Sequence, residues 1–356
     1  MQMRPIPLNL MTLYADLMQN VGTLAVPHGS LATKSIKNRK YVYVTTKDGR
    51  ARVERYLGAA DDPRVLELAE QIKQASEQAK SLRNTVSLLK QARVPAPTLV
   101  QGRILEVMAN AGLFKSGVTL VGTVAYQSYA CVIGSYLAAT AYATNDIDIS
   151  VAEFIAPEGQ EDIESILKRA DPSFKPLWRA DDVNLPRVFQ SNNSKVEILT
   201  RYGRGRRSPV PIDGLGCAAE ALSFQEYAAE DTMEVVALYG AGVLVRVPPP
   251  VRYAVHKLIV AQHRKKTELA KKQKDLRQAK ELIDVFLATD ENTLQDTLDA
   301  ARARGKSWKT AINASLREIG REARQGALPL PVGPHLSAAV NRRRGLAAHK
   351  PARHFP

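Results

Sequence analysis

The sequence predicts an α/β (α+β) protein with a mixed sheet, preceded by an N-terminal hairpin and helix region and followed by a C-terminal helical domain. Three observations carry that prediction. From about residue 96 the chain alternates helix-like and strand-like stretches, among them GVTLV, TNDIDISV and KVEILT. Upstream, KYVYVTTKDGRARVERYLG alternates around Asp48-Gly49, a dipeptide suited to the positive φ angles of a tight hairpin turn. Beyond Pro248-Pro249-Pro250 the chain reads as helix after helix. The segments this implies are residues 1–94, 95–250 and 251–330, with a basic, aperiodic tail over 331–356 that is expected to be mobile.

A short helix is expected over residues 8–20, followed by the hairpin. Lys37, Arg39, Lys40, Lys47, Arg50, Arg52 and Arg55 surround the hairpin and Tyr41, Tyr43 and Tyr56 interleave with them. Such a mixture can hold phosphates and stack bases, although a solvated hairpin packed on a helix by its tyrosines uses the same residues. Asp62-Pro63 supplies an N-cap and a first-turn proline for a long helix, apolar at Val65, Leu68, Ile72, Ala75, Ala79, Leu82, Val86 and Leu89. That helix stops before Val94-Pro95-Ala96-Pro97, whose restricted dihedrals mark a junction.

In the central region helices are expected over 98–111, 123–136 and 161–170, and strands at GVTLV, the DID stretch, FKPLW, RVFQ and KVEILT. MEVVAL and VLVRV precede the triple proline; a single long helix over 251–287 and two more over 294–304 and 307–325 complete the chain.

Composition bounds the function. With 356 residues, 45% of them hydrophobic, the chain can bury a sizeable core. Its 50 Lys and Arg against 36 Asp and Glu give a formal charge of +14, a field that favours polyanions such as nucleic acid or nucleotides. The two cysteines, Cys131 and Cys217, lie far apart with no ligand-spaced partner, which argues against a disulfide framework or a zinc site and for core thiols. No apolar run reaches the length of a membrane span and the first residues lack the pattern of a secretion signal, so a cytoplasmic location is expected.

The stretch TNDIDISV raises the chemical question. On a strand, Asp146 and Asp148 project to one face while Ile147, Ile149 and Val151 project to the other. Two like charges so close repel unless a cation sits between them, and a divalent ion is the usual solution. Upstream, Gly122-Thr123 stands between a short apolar strand and a helix, where backbone N–H groups, the helix start and the Thr hydroxyl can hold a triphosphate. Downstream, Glu197 lies inside KVEILT. If that strand neighbours the DID strand at about 4.8 Å, three carboxylates come within reach of a pair of metal ions about 3.5–4 Å apart. A local ion pair with Arg201 is the plain alternative for Glu197.

VGT followed by a helix, then NDIDIS, then VEIL resembles the polymerase-beta-type nucleotidyltransferase superfamily over roughly residues 99–199, and within it a bacterial branch of poorly characterised members. A more distant resemblance, carried by RYAVHKLIVAQHRKKTELAKKQKDLRQA with its Lys, then Arg, then Lys-Asp pair, is to the abortive-infection nucleotidyltransferase toxins, whose partners are antitoxins. Here Val121-Gly122-Thr123 replaces the usual paired-glycine or Gly-Ser start, and Glu197 stands where Asp is commoner.

The resemblance makes residues 95–250 a nucleotidyltransferase catalytic domain and implies that Asp146, Asp148 and Glu197 bind two Mg²⁺ or Mn²⁺ ions. It also implies that Lys257, in otherwise apolar surroundings, neutralises phosphates. On a single long helix Lys257, Arg264, Lys271 and Asp275 would line one face; His256 reads as a packed histidine. The expected activity is metal-dependent transfer of NMP from an NTP such as ATP to an acceptor hydroxyl, with RNA, including a tRNA end, as acceptor. The alternatives are nucleotidyl or phosphate transfer to a protein, and a non-catalytic nucleic-acid- or antitoxin-binding module.

Overall fold

The computed structural model describes residues 4–23, 29–138, 144–182, 184–202 and 209–325, with side chains up to 320. The basic tail over 331–356 lies outside the described residues.

Helix α1 (Leu8–Val21) is followed by three antiparallel strands, β1 (Ser30–Ile36), β2 (Arg39–Asp48) and β3 (Ala51–Ala59). The expected hairpin is β2–β3, with Asp48 opposite Ala51, so the two loop residues are Gly49 and Arg50, one position later than the sequence suggested. Of these, Gly49 alone has a positive φ, +60°, as in a turn with glycine at the first central position. Strand β1 was not expected. The sequence hides it because SLATKSI has no polar–apolar alternation and no aromatic residue, as fits a strand that is almost wholly exposed.

Asp62 caps α2 (Pro63–Gln91), accepting from the Arg64 N–H at 2.9 Å, with Pro63 in the first turn. The α2 residues Val65, Ile72, Ala75, Ala79, Leu82, Val86 and Leu89 are buried at the predicted spacing. Helix α3 (Leu99–Asn110) starts with a capping box between Thr98 and Gln101.

Then come β4 (Val118–Val121), α4 (Gly122–Gln127), β5 (Asp146–Val151), α5 (Ile163–Ala170), β6 (Lys175–Pro176), β7 (Val188–Gln190), β8 (Lys195–Arg201), β9 (Val210–Ile212) and β10 (Cys217–Leu222). They form a mixed sheet ordered β4-β5-β8-β10-β9, with β6 and β7 attached beside β8. Strand β5 is antiparallel to β4 and parallel to β8; β10 is parallel to β8. The expected helix over 123–136 is reduced to the six residues of α4. Gly134 has φ +67°, and Ser135 leaves the helical path to bridge Pro5 near the N-terminus.

A short α6 (Gln225–Ala229) precedes the hairpin β11 (Met233–Ala237) and β12 (Val243–Val247). The single long helix expected over 251–287 is instead two. Helix α7 (Pro250–His263) ends where Arg264 and Lys265 adopt extended backbone, a 3₁₀ turn covers Lys266–Glu268, and α8 (Leu269–Thr289) folds back along α7. The four residues expected on one helical face are therefore divided between two helices. Helices α9 (Glu291–Ala303) and α10 (Lys306–Gln325) pack against this pair.

One hydrophobic cluster runs from Leu17 of α1 through Ile147 and Ile149 of β5 to Leu258 of α7 and Leu282 of α8, so residues on both sides of the two proline-rich junctions share a core. Cys131 and Cys217 are buried free thiols, each pushed up to about 12 by burial, as expected of core cysteines. Among the described residues no helix is long and apolar enough to cross a membrane.

Candidate active site

The alternation within β5 divides it as the sequence predicts. Ile147 and Ile149 are fully buried, while Asp146 and Asp148 keep part of their surface exposed on the opposite face. Across the parallel pairing, Asp146 is level with Lys195 and Asp148 with Glu197. Two carboxylates of β5 and one of β8 thus share a single face of the sheet.

Gly122 closes that face from the other side. Val121, the last residue of β4, is level with Asp148, and Gly122 follows it with φ +66°. A Cβ at this position would fall 2.1 Å from Asp148 Oδ2. Glycine is needed there twice over, for the left-handed backbone and for the space the carboxylate occupies. The start of α4 is accordingly in van der Waals reach of Asp148.

Behind that turn stands a buried polar link to the C-terminal helices. The Tyr253 hydroxyl donates to the Gly122 carbonyl at 2.9 Å and lies 2.9 Å from Oε1 of Gln278, whose Nε2 is 3.5 Å from Thr123 Oγ1. Thr123 is buried and its hydroxyl faces Gln278, so what α4 can offer a phosphate is its first backbone N–H groups.

The carboxylates are not equally placed. Burial, then the charge of Glu197, pushes Asp148 up from 3.8 to about 6, with Asp146 adding to the rise while Lys257 and Lys195 oppose it. Glu197 does not pair with Arg201, whose guanidinium instead lies 3.5 Å from Glu153. It is held by Lys195 Nζ at 2.8 Å and Arg179 at 3.3 Å, and the same ammonium reaches Asp146 at 3.4 Å. Arg179 continues to Glu220 at 3.0 Å; the nearly buried Arg187 joins Glu220 at 2.8 Å, Asp182 at 2.9 Å, and Asp181.

Lys257 is buried, with its ammonium 2.7 Å from Asp275 Oδ1, and Arg264 binds the other oxygen at 2.9 Å. Burial alone would raise Asp275, but the two cations outweigh it and hold the carboxyl below its ordinary value. Lys271 takes no part: exposed, it pairs with Glu268 at 3.0 Å. His256 is neutral at ordinary pH, pushed down to about 3 by burial and then by Lys257.

Two cations near the carboxylates were not singled out from the sequence. Lys195 needed the strand register to be found. Lys274 of α8 is half-buried and feels both Asp148 and Asp146: burial and then the charge of Lys257 lower it, while Asp275, Asp148 and Asp146 oppose the fall. Its signal was the Lys-Asp pair Lys274-Asp275, visible in the chain.

Among the described residues no group of three or more His, Cys, Asp or Glu side chains is arranged to hold a metal ion, because Glu197 is turned to Lys195 and Arg179. The Asp146–Asp148 pair does fit a hard divalent cation: both donors are carboxylate oxygens, and a cation would offset both the burial and the neighbouring carboxylate charge that raise Asp148.

A nucleotidyltransferase family model matches residues 100–303, which takes in β4 to β12 and α7 and α8 with every residue of this site. The chain belongs to that family. It is a transferase of nucleotidyl groups, which implies a nucleoside triphosphate as substrate. No curated protein and no solved structure matches it.

Proposed function

We propose that this chain is a metal-dependent, polymerase-beta-type enzyme that transfers NMP from an NTP to a hydroxyl of an RNA acceptor. The observation that carries the reading is the close approach of Gly122 to Asp148, which puts the start of α4 beside one of the two carboxylates of β5. A triphosphate held at one and a divalent ion held at the other would share an edge, as phosphoryl chemistry requires.

In this reading Asp146 and Asp148 would hold Mg²⁺ or Mn²⁺, with Glu197, which Lys195 and Arg179 hold in this structure, as the third carboxylate. The metal supplies charge stabilisation at the attacking and leaving oxygens. Gly122 and Thr123 bind the phosphates through their N–H groups. Lys274, facing the same carboxylates from α8, offsets the charge of the triphosphate. Lys257 acts one step removed, locking Asp275 and so fixing α8, and contributes its field at Asp148. The acceptor hydroxyl loses its proton to a carboxylate on this face, its oxygen attacks the α-phosphorus, and pyrophosphate leaves. The charge of +14 supports a polyanionic acceptor.

The test is incubation with each α-labelled NTP and Mg²⁺ or Mn²⁺, with total RNA and separately with cell protein, beside an Asp146→Ala/Asp148→Ala control. Label in RNA that is missing from the control is the expected result. Label only in protein would replace the acceptor, and no label in either would overturn the reading.

A further inference from the structure

The meander β1–β2–β3 has two unlike faces. One packs on α2: Val42 and Val44 are buried, and a Cβ on Gly58 would fall 2.4 Å from Val65 Cγ2. The other is open and carries the tyrosines. Register places Tyr43 opposite Tyr56 and Lys47 opposite Arg52, and on the far side Lys34 opposite Tyr41. The Tyr56 ring is 5.5 Å from Tyr43 and 5.9 Å from Tyr41, yet Tyr56 is 58% exposed. Lys34 lies 4.7 Å over the Tyr43 ring and pairs with Glu54; Lys47 and Arg52 are exposed.

A purely structural aromatic cluster would be turned inward, against α2. This one faces solvent, in a segment, residues 30–59, with eight basic and two acidic side chains. Flat rings flanked by cations are complementary to unpaired bases and their phosphates, and a duplex would offer no exposed base face to such rings.

The position of the sheet gives the surface a direction. Its tip is fixed to the end of α5: the Arg50 N–H donates to the Arg169 carbonyl at 3.0 Å, Arg169 pairs with Asp48 at 3.0 Å, and a Cβ on Gly49 would fall 1.9 Å from that carbonyl. From there a series of polar contacts runs toward the site. Arg50 lies 3.9 Å from Asp171, Asp171 accepts from Ser173, Ser173 Oγ accepts from the Asn192 N–H, and Ser194 donates to the carbonyl of Asn145, the residue before Asp146.

We propose that the open face of this sheet is the acceptor-binding platform, on which a single-stranded RNA stacks bases on Tyr43 and Tyr56 and sets phosphates on Lys47 and Arg52, with its end directed past Arg50 to Asp146. The inference rests on the nucleotidyl-transfer reading for what happens at that end, and on charge and shape for the binding itself.

The experiment measures binding apart from turnover, by fluorescence anisotropy of a labelled 12-nucleotide RNA with the full chain at several salt concentrations. Lys47→Glu/Arg52→Glu is expected to weaken binding about tenfold or more and to flatten the salt dependence, because two phosphate contacts are lost. Tyr43→Ala/Tyr56→Ala is expected to weaken it by a similar factor with the salt slope kept. Milder Tyr56→Leu and Lys47→Gln variants, with the folded signal checked by circular dichroism, guard against a failure to fold. Unchanged RNA affinity in folded sheet variants would overturn the platform, as would equal or tighter binding of duplex RNA or of single-stranded DNA. RNA binding that needs the sheet, in a protein that labels nothing with any NTP, would leave the platform and sink the transferase reading. Labelling of protein without RNA binding would do the reverse.

Discussion

Asp148 of β5 is a half-buried carboxylate and Asp275 of α8 a buried one, and their surroundings pull them in opposite directions. Burial, then Glu197 and Asp146, raises Asp148 to about 6, whereas Lys257 and Arg264 on its two oxygens hold Asp275 below its ordinary value despite its burial. The difference separates a completed interaction from an incomplete one. Asp275 has the counter-charges it needs and works as a clasp between two helices. Asp148 is raised by burial first and by Glu197 next, and among the described residues Lys257 and Lys195 oppose that rise without cancelling it, which the proposed divalent ion would relieve.

The comparison can be broken at either end. The largest expected effect is on turnover: Asp148→Ala should lower nucleotidyl transfer about a thousandfold or more, roughly 4 kcal/mol of transition-state stabilisation, with the fold retained. Single-turnover assays with α-labelled NTP measure it, and retention of more than a tenth of the rate would remove Asp148 from the chemistry. Next comes the clasp. Asp275→Ala leaves the Lys257 ammonium buried and uncompensated, at a cost of about 3–5 kcal/mol. Urea unfolding should show it, and a loss below 1 kcal/mol would mean that Lys257 escapes to water.

A third test uses pH. A carboxyl raised in the folded state binds its proton more tightly there than in the unfolded chain, so stability is lost as pH rises from about 4 through about 6. Asp148→Asn removes that loss. The metal-free variant should be about 1–3 kcal/mol more stable than the parent at pH 8, and the gap should close below pH 4. A gap independent of pH would show that the Asp148 carboxyl is not raised in the folded state. The smallest effect is expected at Lys195, whose side chain is 29% exposed. Lys195→Gln should change stability by less than about 1 kcal/mol. It should nevertheless tighten Mn²⁺ binding in the absence of nucleotide, read by the loss of the free-ion EPR signal, because the ammonium shared by Asp146 and Glu197 is then gone, although Arg179 still holds Glu197. Weaker Mn²⁺ binding would mean that Lys195 supports the site instead of competing for it.

Much of this was legible in the chain. Asp146 and Asp148 share a face because a strand has a period of two, and Ile147 and Ile149 mark which face is buried. Asp62-Pro63 started α2, and Gly122 stood at a turn that only glycine fits. The break between α7 and α8 was hidden, since HRKKTEL contains neither glycine nor proline. The chain turns there because Leu258 and Ile259 on α7 and Leu276, Ala279 and Leu282 on α8 are buried in a common core, which one continuous helix could not achieve. The six-residue length of α4, which gives way to turns from Ser128 onward, likewise did not show in the apolar spacing.

By itself the sequence determined which residues could be strand, cap, turn and acid, because those choices depend on a side chain and its nearest neighbours. It could not determine who faces whom. Lys195 became the counter-ion of Asp146 and Glu197 through the register of β5 on β8, Arg179 reached Glu197 across a loop, and Asp275 met Lys257 through the folding back of a helix. Charge interactions act over a few ångströms of space whatever the separation along the chain, so the balance of charge at Asp148 was decided only when the tertiary structure brought those groups together.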